Sequence, residues 1–324
     1  MQNARTAPLG PSAKLTKHAK TLPATAATAA TTTAPGQAIA ELRAGQSIEL
    51  LKALHILTRD GKLNQDTRRK LKQVYHLYNF IEPLLNDVFT ASAAPTLADH
   101  GAGKSYLGFI LYDLFFNVAH QGAKAAGHIY GIETRTELVD KSRALAAHLG
   151  FARMSFLNLT VLQASTTGEL PAQIDIVTAL HACDTATDDA IAFGLAKNAR
   201  HMVLVPCCQA EVASALKRSR ALNLSKTPLA ELWRHPLHTR EFGSQVTNVL
   251  RCLQLEANGY NVTVTELVGW AHSMKNELIL ASRPAVALAC RAAKTRAAQN
   301  RLLAVLAELG LGELTARFGV LPAA

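Results

Sequence analysis

The segment 96–105 carries residue types that are suited to holding a ligand. A short apolar run ends in Asp99, a turn containing Gly101 and Gly103 follows, and apolar residues recur at helical spacing from Leu107. This pattern predicts a strand, a tight turn and a helix, the arrangement that holds a nucleotide-type ligand at a helix N-terminus. Because glycine lacks a Cβ, its backbone can turn sharply and a ligand can approach it closely.

Two types of ligand-binding loop share features with this segment. The sequence GKS at 103–105 matches the end of a phosphate-binding loop, G-x-x-x-x-G-K-[ST], but the first glycine of that motif would fall at Ala98. The alternative is the adenosylmethionine loop of class I methyltransferases, approximately D-x-G-x-G-x-G. Asp99, Gly101 and Gly103 fit this loop, and a serine replaces its third glycine.

A second acidic residue favours the adenosylmethionine loop. The apolar segment 128–133 ends in Glu133, one helix further on, where a βαβ unit places the carboxylate that binds the two hydroxyls of a ribose. Taken alone, Glu133 could equally be a solvated acid at the end of a strand. Its occurrence together with the Asp99 loop favours the ligand-binding role. A phosphate-loop enzyme would need a Mg²⁺-binding acid after a later strand. We therefore predict S-adenosyl-L-methionine (SAM) as cofactor and no metal.

Composition restricts the class of protein and its partners. The chain has 324 residues, and 34 Lys and Arg against 24 Asp and Glu give a net charge of +10. This balance favours a polyanionic partner, which we predict to be RNA, although a basic surface can serve solubility alone. No uninterrupted apolar run of about 18 residues occurs, which predicts no membrane span. Five cysteines without C-x-x-C spacing predict no disulfide, no structural zinc and a reducing, cytoplasmic location.

Changes in composition divide the chain into four parts. Residues 1–36 are rich in Ala, Thr and Pro and contain no acid, which predicts a disordered basic tail. Residues 37–93 have helical apolar spacing and predict an N-terminal helical extension. Residues 94–283 alternate strands and helices, which predicts a parallel-sheet α/β domain, and the adenosylmethionine loop within it marks this part as the SAM-dependent methyltransferase domain. The alanine-rich residues 284–324 predict a C-terminal helical segment that either packs on the sheet domain or contacts a partner.

The predicted strands indicate the type of sheet. They are 95–99, 128–133, 154–157, 174–180, 202–206, 261–268 and 276–282. Only residues 269–275 separate the last two, too few for a parallel crossover, so this pair should be an antiparallel hairpin at a sheet edge. A mostly parallel, Rossmann-like, seven-stranded sheet closed by such a hairpin is the class I methyltransferase layout. A nicotinamide-binding domain would not be expected to end in this way.

Taken in order, these motifs resemble a group of class I methyltransferases. The group includes a tRNA 2′-O-methyltransferase family, the methyltransferase-like 25 proteins and methyltransferases that contain a glutathione-S-transferase C-terminal domain. The matching segments are the loop at 99–107, G-I-E at 131–133, H-A-C-D at 181–184, T-D at 187–188 and P-C-C at 206–208. The resemblance covers about residues 95–282 and implies SAM-dependent methyl transfer to tRNA or rRNA. The tRNA family continues with a Cys-His-rich run, whereas Gln-Ala-Glu follows here.

Methyl transfer needs a cofactor pocket and an acceptor slot, and in this fold the slot lies outside the carboxyl ends of the central strands. Two segments are expected there, one with His181 and Asp184 and one with Cys207 and Cys208. Asp184 or His181 would accept a proton from the methyl acceptor, and Asp184 would alternatively contact the methionine amino group of the cofactor. The two cysteines would either supply a nucleophile or line the pocket.

Other polar residues complete the predicted sites. Asn158 follows the third strand, at a position that often meets the adenine amino group. The predicted cofactor-binding residues are Asp99, Gly101, Gly103, Glu133, Asn158 and Asp184. Asp188 is expected to cap the helix that follows it, and Asn248 is expected to lie at the surface or to cap a helix.

Two basic segments predict an RNA-binding surface. Residues 52–72 hold seven Lys or Arg against two Asp, and residues 217–240 hold six against one Glu. Basic side chains neutralise phosphates, and an aromatic ring stacks on an unpaired base. The predicted RNA-binding residues are Arg68, Arg69, Lys70, Lys72, Lys217, Arg218, Arg220 and Trp233. A solvated face would carry the same charge, so a protein or small-molecule acceptor, or a non-catalytic SAM-binding module, remains an alternative.

Overall fold

A seven-stranded β-sheet organises the middle of the chain. The computed structural model describes residues 41–92, 94–119, 127–180, 182–206, 209–219, 226–267, 277–284 and 292–319. The strands are β1 (Thr96–His100), β2 (His128–Glu133), β3 (Met154–Asn158), β4 (Ile176–Leu180), β5 (His201–Val205), β6 (Asn261–Glu266) and β7 (Glu277–Ser282). The predicted tail, 1–36, lies outside the described residues.

The sheet is parallel except at one edge. Its strand order is β3-β2-β1-β4-β5-β7-β6. Strands β1 to β5 run parallel, with Asp99 opposite Gly131 on one side and Thr178 on the other. β7 runs antiparallel to both β5 and β6. The predicted α/β class and the antiparallel pair at a sheet edge are therefore confirmed. The carboxyl ends of β1 to β5 all meet at one edge, named here the carboxyl edge.

Helices precede, cover and follow the sheet. They are α1 (Ile48–Ala53), α2 (Gln65–Ala91), α3 (Tyr106–Leu111), α4 (Thr136–His148), α5 (Val161–Thr166), α6 (Thr185–Ala196), α7 (Glu211–Ser219), α8 (Pro236–Ala257), α9 (Ala292–Glu308) and α10 (Thr315–Phe318). A π-helix, Tyr112–Ala119, continues α3, and Pro228–Trp233 forms a 3₁₀-helix. The local sequence explains where some of these helices begin. Asn64 and Thr67 form a capping box at α2, and Thr160 and Gln163 form one at α5.

Two apolar clusters hold these elements together. The first joins the sheet to α6 and includes Val177, Phe193 and Leu204, each at most 1 % exposed. The second joins α7 and α8 to the C-terminal helices, and its members include Val212, Leu216, Leu250, Leu302, Leu306 and Phe318. The described part of the C-terminal segment therefore packs on α7 and α8, because its apolar stripe is buried there.

The long helix α2 is tied to the sheet by charge as well as by apolar packing. Arg200 donates to both carboxylate oxygens of Asp87, at 2.6 and 3.0 Å. The His201 ring bonds Asp87 through Nε2 and Ser282 through Nδ1, both at 2.8 Å. This cluster lies where β5 begins and β7 ends, so it fixes one end of α2 at the sheet edge opposite the carboxyl edge.

The crossing of α7 and α8 generates a stability prediction. A Cβ on Gly243 would lie 2.6 Å from Ala213 Cα and 2.8 Å from Ala213 N. Gly243→Ala should therefore lower the unfolding free energy by roughly 1–3 kcal/mol, because the backbones must separate. Urea unfolding measures this change. Gly168→Ala is the control, since a Cβ at that position would have no described atom within 4 Å. A fully stable Gly243→Ala protein would contradict the close helix crossing.

Candidate functional site

The loop after β1 adopts a backbone conformation that favours glycine. Gly101 and Gly103 have φ of 65° and 57°, in the left-handed region, and Ser105 also lies there with φ 51°. Among the described residues, a Cβ at Gly101 would meet Ala182 Cβ at 3.8 Å. One at Gly103 would meet the Arg135 guanidinium at 3.7 Å. The positive φ of the turn therefore favours glycine at both positions, and a Cβ at either would make an ordinary van der Waals contact.

Asp99 supports this loop from inside the protein. Its side chain is buried, and the Thr178 hydroxyl on β4 donates to its Oδ1 at 2.8 Å. Burial raises the pKa of Asp99 to about 6, against opposing contributions from the Thr178 and Ser105 hydroxyls and the Gly108 N–H. The acid predicted to touch the cofactor thus faces the sheet interior.

His100 is the last residue of β1 and was not among the predicted site residues. Its ring lies 5.7 Å from that of Phe193 in α6, and neither ring nitrogen has a hydrogen-bond partner among the described residues. Burial lowers the pKa of His100 to about 4, so its imidazole is neutral at physiological pH. It occupies an apolar position under the loop.

Glu133, at the end of β2, meets the glycine loop directly. The Gly103 N–H donates to its Oε2 at 2.8 Å, and the Arg135 guanidinium donates to both carboxylate oxygens at 3.0 Å. Burial alone would raise the pKa of Glu133. The Arg135 side chain and the backbone N–H groups of Arg135 and Gly103 outweigh it and lower the pKa to about 2. Arg135 was not predicted, although a basic residue two positions after the acid is its sequence signal.

Asn158 lies at the neighbouring strand end, as expected, but its amide contacts the backbone. Its Nδ2 donates to the carbonyl oxygens of Glu133 at 3.1 Å and Thr134 at 2.8 Å. Its Oδ1 accepts from the Thr136 hydroxyl at 3.2 Å. These contacts hold the segment between β2 and α4 in place beside Glu133.

On the other side of the carboxyl edge, Asp184 connects two loops. Its Oδ1 accepts from the backbone N–H of Ala210 at 2.8 Å and of Glu211 at 3.2 Å. The other residues predicted for the acceptor slot, His181, Cys207 and Cys208, lie outside the described residues. The structure therefore brings together Asp184 and the loop after β5.

The expectation that Asp188 caps α6 is wrong. Asp188 lies one turn inside the helix and is 6 % exposed. The Arg251 guanidinium, which is fully buried, donates to its two carboxylate oxygens at 2.8 and 2.7 Å. Asn248 was expected to lie at the surface or to cap a helix. It lies inside α8 instead and is 5 % exposed, because its amide accepts from Gln209 and donates to Glu277. Both corrections involve α8, which carries the buried partner of Asp188 and carries Asn248 itself.

The predicted RNA-binding residues lie on separate helices. Those of α2, which are Arg68, Arg69, Lys70 and Lys72, are exposed near its start, and Lys217 and Arg218 are exposed near the end of α7. Arg218 pairs with Glu313 at 2.6 Å. Trp233 is partly buried, packs near Phe242 and donates to the Leu216 carbonyl at 3.3 Å. Arg220 lies outside the described residues.

Within the described ranges, no group of three or more His, Cys, Asp or Glu side chains could hold a metal ion. No described helix is both long and apolar enough to cross a membrane.

Residues 69–215 match the profile of a family described as a methyltransferase domain. This part of the chain is therefore similar to a methyltransferase domain. The matched range contains the glycine loop, Glu133 and Asp184, so the residues of the carboxyl edge lie within it. No curated protein matches the chain at a significant level.

Several solved structures are similar to this chain at low identity. A putative O-methyltransferase from Klebsiella pneumoniae is 15 % identical with a TM-score of 0.42, covering 75 % of this chain and 93 % of that chain. Magnesium protoporphyrin IX methyltransferase from Synechocystis PCC 6803, with bound SAH, is 15 % identical with a TM-score of 0.41, covering 72 % and 94 %. An rRNA methylase from Streptococcus thermophilus is 9 % identical with a TM-score of 0.35, covering 59 % and 88 %.

The raised pKa of Asp99 generates a prediction about stability and pH. The pKa rises from 3.8 to about 6 on folding, so Asp99 stabilises the fold below pH about 4, and this contribution is lost as the pH rises through 6. In the Asp99→Asn variant, the side chain at this position does not ionise between pH 4 and pH 7. The unfolding free energy of the wild type minus that of Asp99→Asn should fall by about 2 kcal/mol between pH 4 and pH 7.

Urea unfolding of both proteins at several pH values provides the measurement. His100 is present in both, so the loss of stability that its lowered pKa causes as the pH falls cancels in the difference. A difference that stays constant between pH 4 and pH 7 would show that Asp99 is not desolvated.

Proposed function

We propose that this chain is a SAM-dependent methyltransferase that acts on RNA, with tRNA or rRNA as the acceptor. The observation that carries the proposal is the group of exposed basic side chains near the start of α2, Arg68, Arg69, Lys70 and Lys72. Lys217 and Arg218 on α7 add a second exposed basic group, in a chain of net charge +10. Basic residues at such positions neutralise phosphates and release counterions. RNA is a polyanion that would use both groups.

We propose that the cofactor binds at the carboxyl edge, between the glycine loop and Glu133. The left-handed backbone of Gly101 and Gly103 supports this assignment, because residues without a Cβ let a ligand approach the loop closely. Asp99 would hold the loop from beneath, and Asn158 would hold the segment after β2. When bound, SAM supplies a methyl group on an activated sulfonium centre.

Glu133 is the proposed acceptor of hydrogen bonds from the ribose hydroxyls. Both of its oxygens are engaged by Arg135, whose side chain is 59 % exposed. Because the Arg135 guanidinium is itself largely exposed to solvent, we propose that it moves aside when ribose hydroxyls replace its hydrogen bonds to the buried Glu133 carboxylate. The Gly103 N–H, at 2.8 Å, would remain and hold the carboxylate against the loop.

The proposed acceptor slot lies beside Asp184, between the loops that follow β4 and β5. This end of the parallel strands is where open α/β sheets bind ligands. Of the two predicted proton acceptors, we assign the role to His181 and place Asp184 at the boundary of the slot. Cys207 and Cys208 are proposed to line it.

A protein or small-molecule acceptor is the second candidate. The contacts of two predicted RNA-binding residues favour it. Arg218 is already paired with Glu313, and the Trp233 ring packs beside Phe242 rather than standing free for a base. If these contacts persist when substrate binds, the second basic group is a structural feature of α7 and not an RNA surface.

The cofactor assignment predicts weaker binding in two variants. Glu133→Ala removes a charged hydrogen-bond acceptor, and Asp99→Ala removes the support of the loop. Each should cost roughly 1.5–3 kcal/mol of SAM binding. Calorimetric titration with SAH measures the loss. Asp140→Ala, an exposed α4 acid that pairs with Arg143, is the control and should bind normally. Wild-type affinity in both site variants would place the cofactor elsewhere.

The RNA assignment predicts a salt-dependent interaction. Contact with Z phosphates gives a slope of about −0.7Z for log affinity against log salt with single strands. Changing the predicted basic residues to Gln should flatten this slope and leave SAH affinity unchanged. Those residues are Arg68, Arg69, Lys70, Lys72, Lys217, Arg218 and Arg220.

Transfer of radiolabelled methyl groups from SAM to total RNA, and separately to total protein, tests the same assignment directly. We expect label in RNA, reduced in the Gln variant when assayed at moderate salt. Label in protein alone, or an unchanged slope, would favour the second candidate. SAH binding without transfer to either pool would indicate a non-catalytic module.

A further inference from the structure

Asp184 has a backbone conformation that a non-glycine residue keeps only where its surroundings hold it. Its φ is 49° and its ψ is −121°, on the positive-φ side that favours glycine. It lies between β4 and α6, at the carboxyl edge. Such conformations concentrate at functional sites, where neighbouring contacts compensate for the strain.

The first contact that holds Asp184 runs through its side chain to the neighbouring loop. Its Oδ1 accepts from the N–H groups of Ala210 and Glu211, at 2.8 and 3.2 Å. The opening N–H groups of a helix have no partner inside that helix. Glu211 begins α7, so a carboxylate from the loop after β4 caps the helix that follows β5. The positive end of the helix dipole favours the negative charge there.

The second contact runs through the Asp184 carbonyl oxygen, which accepts from Arg251 Nη2 at 2.8 Å. Arg251 is fully buried, so its position is set by the acceptors around it. Asp188 takes two of its hydrogen bonds, and Asn248 accepts from Nη1 at 3.2 Å. The backbone of Asp184 is therefore bonded to a guanidinium that two other side chains hold in place.

The same helix, α8, also holds the loop after β5. Gln209 Nε2 donates to Asn248 Oδ1 at 3.0 Å, and Asn248 Nδ2 donates to Glu277 Oε2 at 2.6 Å. Gln209 and Asn248 are each 5 % exposed. The loop after β5 is thus attached at two points, to Asp184 at the start of α7 and to Asn248 in α8.

We propose that Asp184, Arg251 and Asn248 form a clamp that fixes the separation of the loops after β4 and β5. Asp184 is then a positioning residue, which holds the two sides of the acceptor slot at a set distance. The clamp rests on the proposed placement of that slot. Its geometry requires an oxygen acceptor at Asp184 but not a negative charge, which distinguishes it from a role in proton transfer or in binding the methionine amino group.

Three substitutions at one position separate these roles. Asp184→Asn keeps an acceptor oxygen on its side-chain amide. It should therefore still cap α7, because Asn and Asp cap helices about equally well. Asp184→Ala removes the acceptor, and Asp184→Gly removes it while relieving the positive φ. The first readout is amide hydrogen exchange at Ala210 and Glu211. The others are SAH affinity and the KM and kcat for RNA methylation. Asp140→Ala is the matched surface control.

We expect exchange at Ala210 and Glu211 to accelerate roughly fivefold in Asp184→Ala and Asp184→Gly, and to stay near wild type in Asp184→Asn. Asp184→Gly should unfold at a higher urea concentration than Asp184→Ala. KM for RNA should rise in the Ala and Gly variants and recover in the Asn variant, while SAH affinity stays constant.

Two results would overturn the clamp. One is unchanged exchange at these amides in Asp184→Ala. The other is loss of transfer or of SAH binding in Asp184→Asn to the same extent as in Asp184→Ala. If the wild type methylates no RNA, the proposed function fails, but exchange and SAH binding still decide whether the clamp exists.

Discussion

The buried guanidinium of Arg251 is the constraint on which the carboxyl edge depends. A charge with no exposure to water is tolerated only when nearly every donor finds an acceptor. Asp188, Asn248 and the Asp184 carbonyl provide those acceptors. They come from α6, from α8 and from the loop after β4. Satisfying one side chain therefore fixes how two helices and a loop sit around the ends of β4 and β5.

The two acids near the ends of β1 and β2 show how the local environment gives similar side chains different pKa values. Asp99 faces inward and has the Thr178 hydroxyl as a neutral donor, so burial raises its pKa. Glu133 is held by a guanidinium and by backbone N–H groups, so its pKa falls despite burial. One acid therefore supports the loop beneath the proposed pocket, and the other keeps a charged oxygen at its rim.

Much of the fold could be predicted because the signals are local. The short connection 269–275 required an antiparallel pair, and apolar runs ending in Asp99 and Glu133 marked β1 and β2. The roles of Asp188 and Asn248 could not be predicted, since their partners lie more than 25 residues away along the chain. One signal was available. Arg251 follows Leu250 and precedes Leu253 on the apolar face of α8, which indicates a buried charge that needs a partner.

The insertion of β7 between β5 and β6 has a consequence for synthesis of the chain. β5 pairs on one side with β4, which precedes it, and on the other with β7, which emerges only after residues 206–276. Until then, a nascent chain on the ribosome carries a half-finished sheet whose outer ladder of N–H and C=O groups is open. Such an edge can recruit a strand from another chain. Completion of the sheet is therefore a late, non-local event, and the interval before it is the period in which neighbouring polypeptides can pair in place of β7.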